Sequence, residues 1–85
     1  MINLTKNFCE NEMLVIGVKA TSFLVYLILE MDEDKQGTMD YEDIKKSLKL
    51  FPSEIERELI VLSENGLIKY KGYDYTVLTT TIYKS

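Results

Sequence analysis

The sequence contains no histidine, one cysteine and one proline among its 85 residues. Histidine is the commonest general base in enzymes, and the serines at positions 22, 47, 53 and 63 have no activating partner at a recognisable spacing. Cys9 has neither a second thiol nor a histidine with which to bind zinc, and it cannot form an internal disulfide. We therefore expect a protein of a reducing compartment that is not an enzyme and carries no metal and no cofactor.

Long apolar runs are also missing. The two longest, residues 13–18 and 23–29, are far shorter than the roughly 20 residues that cross a bilayer. Residues 1–12 contain no apolar segment of the kind that defines a secretory signal. These absences predict a cytoplasmic protein without a membrane partner, and no pattern for a small-molecule substrate is evident.

Acidic residues outnumber basic ones by fourteen to ten, which gives a net charge of −4. This balance argues against nonspecific attraction to nucleic acid or to anionic lipid. The charges are unevenly placed: residues 30–40 carry five acids and one lysine, residues 53–66 four acids and one arginine, and residues 67–85 three lysines and one acid. Positive charge is therefore concentrated at the carboxyl end.

The length and the hydrophobic content of 46% suit one small core, so residues 1–85 are expected to form a single domain. Residues 1–18 form an extension of uncertain structure, because the short apolar run within it suits a strand or a helix equally. From Ala20 onward apolar residues recur at steps of three and four, which predicts a helix that ends near Met31. The inward positions of this helix are Leu24, Leu27, Ile28 and Met31.

A second helix is predicted after a solvated acidic turn at residues 32–37. Asp40 is a favourable N-cap residue, and Asp43 occupies the position of the reciprocal capping acid three residues later. Ile44 and Leu48 then share one face of the helix, which is expected to point inward.

A third helix is predicted from Pro52, since proline favours the first turn of a helix. Ser53 and Glu56 have the spacing of a second capping box. Gly66 is suited to the left-handed conformation that ends many helices. The inward residues of this helix are expected to be Ile55, Leu59 and Leu62.

The carboxyl-terminal part changes to a pattern typical of strands. Residues 67–71 and 73–81 are rich in aromatic and β-branched side chains. Gly72 lies between the two segments, where a tight turn needs a positive φ angle. The two segments are therefore predicted to pair as an antiparallel hairpin.

This order of a helix, a short turn, a helix and a hairpin resembles winged-helix repressors of the MarR and ArsR type and the N-terminal domains of plasmid and phage replication proteins. The resemblance runs from about Ala20 to Thr80 and is clearest in residues 52–68, with Ser53, Arg57 and the closing Gly-Leu-Ile. It implies an α+β fold, a small winged helix-turn-helix with three core helices followed by a C-terminal β-hairpin wing. Met39 would lie in the family's short strand before the second helix.

The resemblance also implies a DNA-binding protein in transcription or replication control, acting as a homodimer or within a larger assembly. Lysines of the second helix and of the wing would contact phosphates, and the third helix would approach base edges. The nucleic-acid contacts implied in this way are Arg57, Ser53, Lys45, Lys46, Lys49, Lys69 and Lys71.

Several features of the third helix favour an alternative function. Glu54, Glu56 and Glu58 are expected to form an acidic face opposite the core, which phosphates would repel. Ile60 and Val61 lie outside the predicted inward positions, so one of them is either exposed to a partner or buried on a wider stripe. The alternative is an acidic winged-helix module that binds another protein and not DNA.

The segment 32–43 also resembles an EF-hand calcium loop. Asp32 and Asp34 occupy loop positions one and three, Gly37 position six, and Asp40 and Asp43 positions nine and twelve. Gln36 at position five and an aspartate at position twelve depart from the usual ligands. An acidic loop that caps the second helix without metal accounts for the same residues, and a calcium-binding helix-loop-helix is kept as a third hypothesis.

Overall fold

The computed structural model describes residues 12–78, with side chains from residue 16 onward. Within this range the chain forms a small α+β domain with the arrangement of a winged helix-turn-helix, as predicted. Helix α1 spans Glu12–Glu30 and is followed by strand β1 (Gln36–Thr38), helix α2 (Tyr41–Leu48) and helix α3 (Pro52–Glu64). Strands β2 (Ile68–Lys71) and β3 (Asp74–Val77) form the hairpin, and residues 79–81 of the predicted second strand lie outside the described residues.

Helix α1 is longer than its apolar pattern from Ala20 indicates, because the helix already begins at Glu12. The ambiguous run at residues 13–18 is therefore helical, and the helix is kinked at Gly17, which has φ +86° and ψ 171°. Residues with a Cβ rarely adopt this conformation, so glycine allows the change in direction. The inward face includes the predicted Leu24, Leu27 and Ile28, which are buried.

Helix α2 begins as predicted, but only half of its capping pattern forms. The Asp40 carboxylate accepts hydrogen bonds from the backbone N–H of Glu42 at 3.0 Å and of Asp43 at 3.3 Å. The Asp43 carboxylate does not return to the N-cap backbone, and it accepts a hydrogen bond from the hydroxyl of Tyr26 on α1. A capping box normally uses the longer glutamate or glutamine side chain, so the reciprocal role predicted for Asp43 is wrong.

Helix α3 begins earlier than its predicted cap. Phe51 is the N-cap residue and Pro52 the first helical residue, so Ser53 lies within the first turn and does not cap the helix. Glu54, and not Glu56, reaches back, with its Oε1 accepting the N–H of Phe51 at 3.2 Å. The predicted Ser53–Glu56 pair is wrong because proline favours the first helical position, which puts the N-cap one residue before Pro52.

The three strands form an antiparallel sheet in the order β1-β3-β2. Strand β1 pairs with β3 through Gln36↔Thr76, and β2 pairs with β3 through Ile68↔Val77. The predicted acidic turn is shorter than residues 32–37, because the pairing recruits Gln36 and Gly37 into β1. Met39 follows the strand and donates its N–H to the carbonyl of Tyr73 at 2.7 Å.

The turns that the glycines predict are present. Gly66 after α3 has φ +70° and Gly72 in the hairpin has φ +61°. The predicted inward residues of α2 and α3 are buried or partly buried in the single core that the helices share with the sheet. The largest side chains in this core with less than 2% exposure are Phe23, Leu24, Leu27, Ile44, Ile55, Leu59, Leu62, Ile68 and Val77.

Tyr75 ties the centre of the sheet to the end of α1. Its ring is 3% exposed, and its hydroxyl donates to the carbonyl of Leu27 at 2.6 Å. That carbonyl is among the last four of α1, which lack partners within a helix. Gly37, paired with Tyr75 across the strands, leaves room for the ring, since a Cβ there would lie 2.6 Å from the hydroxyl oxygen.

Candidate nucleic-acid interface

The turn between α2 and α3 positions the outer surface of α3. Lys49 ends α2 in the left-handed conformation, with φ 58° and ψ 36°, and its N–H donates to the carbonyl of Lys45 at 3.0 Å. Leu50 is then buried while Phe51 is 67% exposed, so the chain crosses from the core to the surface as α3 begins. This short turn sets the direction of α3 relative to α2.

The outer surface of α3 carries three of the residues that the sequence singles out. Ser53 and Arg57 are exposed, and Ile60 is 49% exposed on the same side of the helix. Val61 is partly buried and packs against the core. The question left open by the sequence is thus resolved: Val61 widens the buried stripe, and Ile60 is the exposed apolar residue.

The predicted acidic face of α3 does not exist as a single surface. The Glu58 side chain is buried, with 6% exposure, and Glu54 forms an ion pair with Lys19 of α1. Only Glu56 is fully at the surface. Successive helical residues turn by about 100°, so Glu54 and Glu58 share the side toward α1 while Glu56 lies about 200° away from Glu54.

The environment of Glu54 stabilises its negative charge. The hydrogen bond from Lys19 and the hydrogen bond from the Phe51 backbone lower the pKa of this carboxyl group, with a further contribution from the charge of Arg57. Lys19 and Arg57 therefore both lie close to Glu54. In the isolated domain, Glu54 is therefore already paired with a lysine, and Glu58 is already buried.

The five lysines named from the sequence are all exposed. No carboxylate of residues 16–78 lies within 4.0 Å of their ammonium groups or of the Arg57 guanidinium, since the one ion pair among the described side chains is Lys19–Glu54. They are distributed over α2, its C-cap and β2, at positions Lys45, Lys46, Lys49, Lys69 and Lys71.

The two hairpin lysines point away from the helices. Ile68 is buried and Tyr70 half-buried, so the alternating Lys69 and Lys71 occupy the outer face of the sheet. They line a shallow depression of about 430 Å³ that also contains Asp32 and Asp74. Lys71 is paired in register with Asp74 across the hairpin, although their charged groups do not come within 4.0 Å of each other.

The sequence did not identify an aromatic pair at the hairpin turn. Tyr73 is 61% exposed, and its ring packs edge-to-face on Tyr41, with centroids 5.3 Å apart and an angle of 86°. Burial, followed by the charge of Glu56, raises the pKa of Tyr41, so α3 lies near this pair. The positions are 32 residues apart along the chain, and no local pattern joins them.

The hairpin is short, and both of its strands belong to the three-stranded sheet. Its two strands have four residues each, and β1 pairs with three of the four residues of β3. The Met39 N–H bond to the Tyr73 carbonyl holds the turn against the start of α2. The turn therefore lies against the start of α2 and does not extend beyond the domain as a free arm.

In the acidic loop, three of the four carboxylates suggested as calcium ligands make separate hydrogen bonds. Asp32 Oδ1 accepts the N–H groups of Asp34 and Gln36, both at 2.9 Å. Asp40 caps α2, and Asp43 binds Tyr26. Over the described part of the chain no three carboxylate, histidine or cysteine side chains come close enough to hold one metal ion.

Comparisons with known proteins yield no match among protein-family models, curated protein sequences or solved structures. Among residues 12–78, no helix has the length and apolarity needed to span a bilayer.

Proposed function

We propose that this chain is a winged-helix DNA-binding protein acting in transcription or replication control. The observation that carries the proposal is the distribution of charge on α3: Glu54 is paired with Lys19, Glu58 is buried, and Arg57 is exposed. The charge that argued most strongly against DNA is thus largely directed away from the outer surface of the helix.

The surroundings of α3 offer cations to a phosphate backbone. Lysines at the end of α2 and on β2 are exposed and make no ion pair with another of residues 16–78. Phosphate neutralisation supplies most of the affinity of ordinary protein–DNA complexes, and it depends on such local charges more than on the net charge of −4. Arg57 and Ser53 would then face base edges or phosphates in the groove.

The short hairpin restricts the way in which this domain binds. Because its turn is held against α2, we expect it to contact the backbone that borders the groove occupied by α3. The exposed Tyr73 suits this place, since a phenol hydroxyl can donate to a phosphate and the ring can pack on a sugar. Its contact with Tyr41 keeps the ring ordered before binding.

The test is a fluorescence-anisotropy titration of a mixed-sequence duplex at several salt concentrations between about 50 and 200 mM. Replacing Lys69 and Lys71 together with glutamine should reduce the slope of log affinity against log salt by about two, since each phosphate contact contributes about one. Lys35→Gln is a control for the loss of a single lysine, because it removes one charge from the loop before β1, at the end of the sheet opposite the hairpin turn.

A second function is favoured by the exposure of Phe51, the N-cap residue of α3, and of Ile60 within the helix, which are 67% and 49% exposed. Apolar residues at such a position suit a protein partner. If the wild-type chain shows no salt-dependent affinity for duplex DNA, the DNA proposal fails and the interaction module becomes the better explanation.

A further inference from the structure

Glu58 of α3 is a buried carboxylate without a partner among the described residues. It is 6% exposed, and within residues 16–78 its side chain makes no hydrogen bond and no ion pair. Glutamates are rarely buried this deeply unless their charge is paired, because removing a charge from water costs free energy that a counter-charge must offset. The position therefore suits a cationic group that these residues do not supply.

Glu58 lines a cleft between α3 and the kinked part of α1. The cleft has a volume of about 390 Å³ and is formed by residues 16–19 of α1 and by Glu54, Arg57 and Glu58 of α3. Apart from its own stretch of helix, nothing lies within 4 Å of the place that a Cβ on Gly17 would take, so Gly17 borders open space. The volume is within the range of small-molecule sites, roughly 300–1,000 Å³.

Two charges of the cleft remain once its internal ion pair is counted. Lys19 is bound to Glu54, so these two groups neutralise each other. Arg57 is exposed, and its guanidinium has no carboxylate of residues 16–78 within 4.0 Å. Glu58 and Arg57 are thus one negative and one positive group that line the same cleft without pairing with each other. A ligand with one group of each sign can satisfy both.

The kink of α1 adds donors for the negative end of such a ligand. The φ and ψ angles of Gly17 are non-helical, so a second helical segment begins directly after it. The first N–H groups of a helix have no carbonyl one turn earlier and favour an anion. Val18 and Lys19 carry the first two of these groups in the second segment, and both residues line the cleft. The cleft therefore combines donors suited to a carboxylate with the Glu58 carboxylate, which is suited to an ammonium group.

We propose that this cleft binds a small aliphatic α-amino acid. The ammonium group of the ligand donates to the Glu58 carboxylate, and its carboxylate accepts from Arg57 and from the N–H groups that follow Gly17. Ile16 and Val18 line the same cleft and offer apolar contact to the side chain of the ligand. Because the ligand is titrated without nucleic acid, failure of this proposal and failure of the DNA proposal are distinguishable.

Isothermal titration calorimetry of the full chain with leucine, isoleucine and valine tests the binding. For each amino acid, a matched amine lacks the carboxylate and a matched carboxylic acid lacks the ammonium group, as 3-methylbutylamine and 4-methylpentanoate do for leucine. At least one amino acid should bind at millimolar concentration, and its two analogues should bind at least about ten-fold more weakly, because each leaves one charge of the cleft unpaired. No heat with any of the three amino acids, or an amine that binds as tightly as its amino acid, overturns the proposal.

Substitutions at Glu58 and Arg57 assign the two ends of the ligand. Glu58→Gln keeps the shape of the side chain and should weaken amino-acid binding about ten-fold or more. It should not lower the unfolding temperature, since it removes a buried unpaired charge. Glu56→Gln is the matched control, because Glu56 is exposed on a different side of α3, and this variant should bind like the wild type.

Arg57→Gln changes an exposed residue and should reduce the preference of the chain for the amino acid over its matched amine. An unchanged preference refutes the role of Arg57 at the carboxylate end. Unchanged affinity in Glu58→Gln, or equal losses in Glu58→Gln and Glu56→Gln, shows that the ligand does not lie in this cleft.

Discussion

The contact between Gly37 and Tyr75 provides a direct test of how the sheet is packed. A Cβ added at Gly37 would lie 2.6, 2.7 and 2.8 Å from the Oη, Cζ and Cε1 atoms of Tyr75. The ring cannot move away freely, because it is 3% exposed and its hydroxyl is bonded to the Leu27 carbonyl. Gly37→Ala should therefore either displace Tyr75 or distort the pairing of β1 with β3.

The expected cost combines two effects. Overpacking a well-filled core typically costs about 1–3 kcal/mol, and a lost hydrogen bond about 0.5–1.5 kcal/mol. We expect Gly37→Ala to lower the free energy of unfolding by about 2–4 kcal/mol, a large fraction of the stability of a small domain. For a domain of this size, the free energy of unfolding falls by about 1 kcal/mol for each molar of urea. The urea concentration at the unfolding midpoint should therefore fall by roughly 2 M or more.

Urea unfolding followed by far-ultraviolet circular dichroism measures this loss, and a double-mutant cycle assigns its cause. In a Tyr75→Leu background the clash is absent, so Gly37→Ala should cost less than about 1 kcal/mol there. Gly72→Ala is a useful comparison, because open space surrounds Gly72 but its φ is +61°, and its cost of about 1 kcal/mol should not depend on Tyr75. Equal costs of Gly37→Ala in both backgrounds would refute the reasoning.

Two further predictions concern the ends of the helices. Burial, with smaller contributions from Glu30 and Asp32, raises the pKa of Tyr75 to about 12, so its contribution to stability is complete below pH 10 and is lost as the pH rises from 10 to 12. Tyr75→Phe should show a shallower decline in unfolding free energy over that range, and an unchanged decline would contradict this assignment. Asp40→Ala should cost about 1 kcal/mol in a thermal or urea unfolding experiment, while Asp40→Asn, which keeps an accepting oxygen, should stay within about 0.5 kcal/mol of the wild type. An equal loss in both Asp40 variants would show that capping is not the cause.

The direction of the α3 glutamates explains why the sequence overstated the acidity of the proposed DNA-binding surface. Three glutamates at alternate positions look like one charged face in a linear pattern, although a helix separates neighbours in such a series by about 200°. The position of α1 then decides which glutamates are removed from the surface. Lys19 lies 35 residues from Glu54 in the chain, so this pair has no local signature.

The sequence by itself determined the features that depend on a few neighbouring residues. Apolar spacing predicted the buried Ile44, Ile55 and Leu59, and turn chemistry predicted the Asp40 cap and the hairpin at Gly72. These features follow from helix periodicity and backbone conformation, whose reach is about one turn of helix. The fold class followed from their order.

Tertiary structure alone decided the features that join distant parts of the chain. These include the addition of β1 to the sheet, the Tyr26–Asp43 hydrogen bond and the Tyr41–Tyr73 contact. They also include the hydrogen bond from the Tyr75 hydroxyl to the carbonyl of Leu27 in α1, 48 residues away. Such contacts depend on which surfaces meet when the helices and strands pack, and many residues are compatible with any one local pattern. The physical reason is that a side chain's partner is set by the packing of whole elements, whereas its own conformation is set by its neighbours.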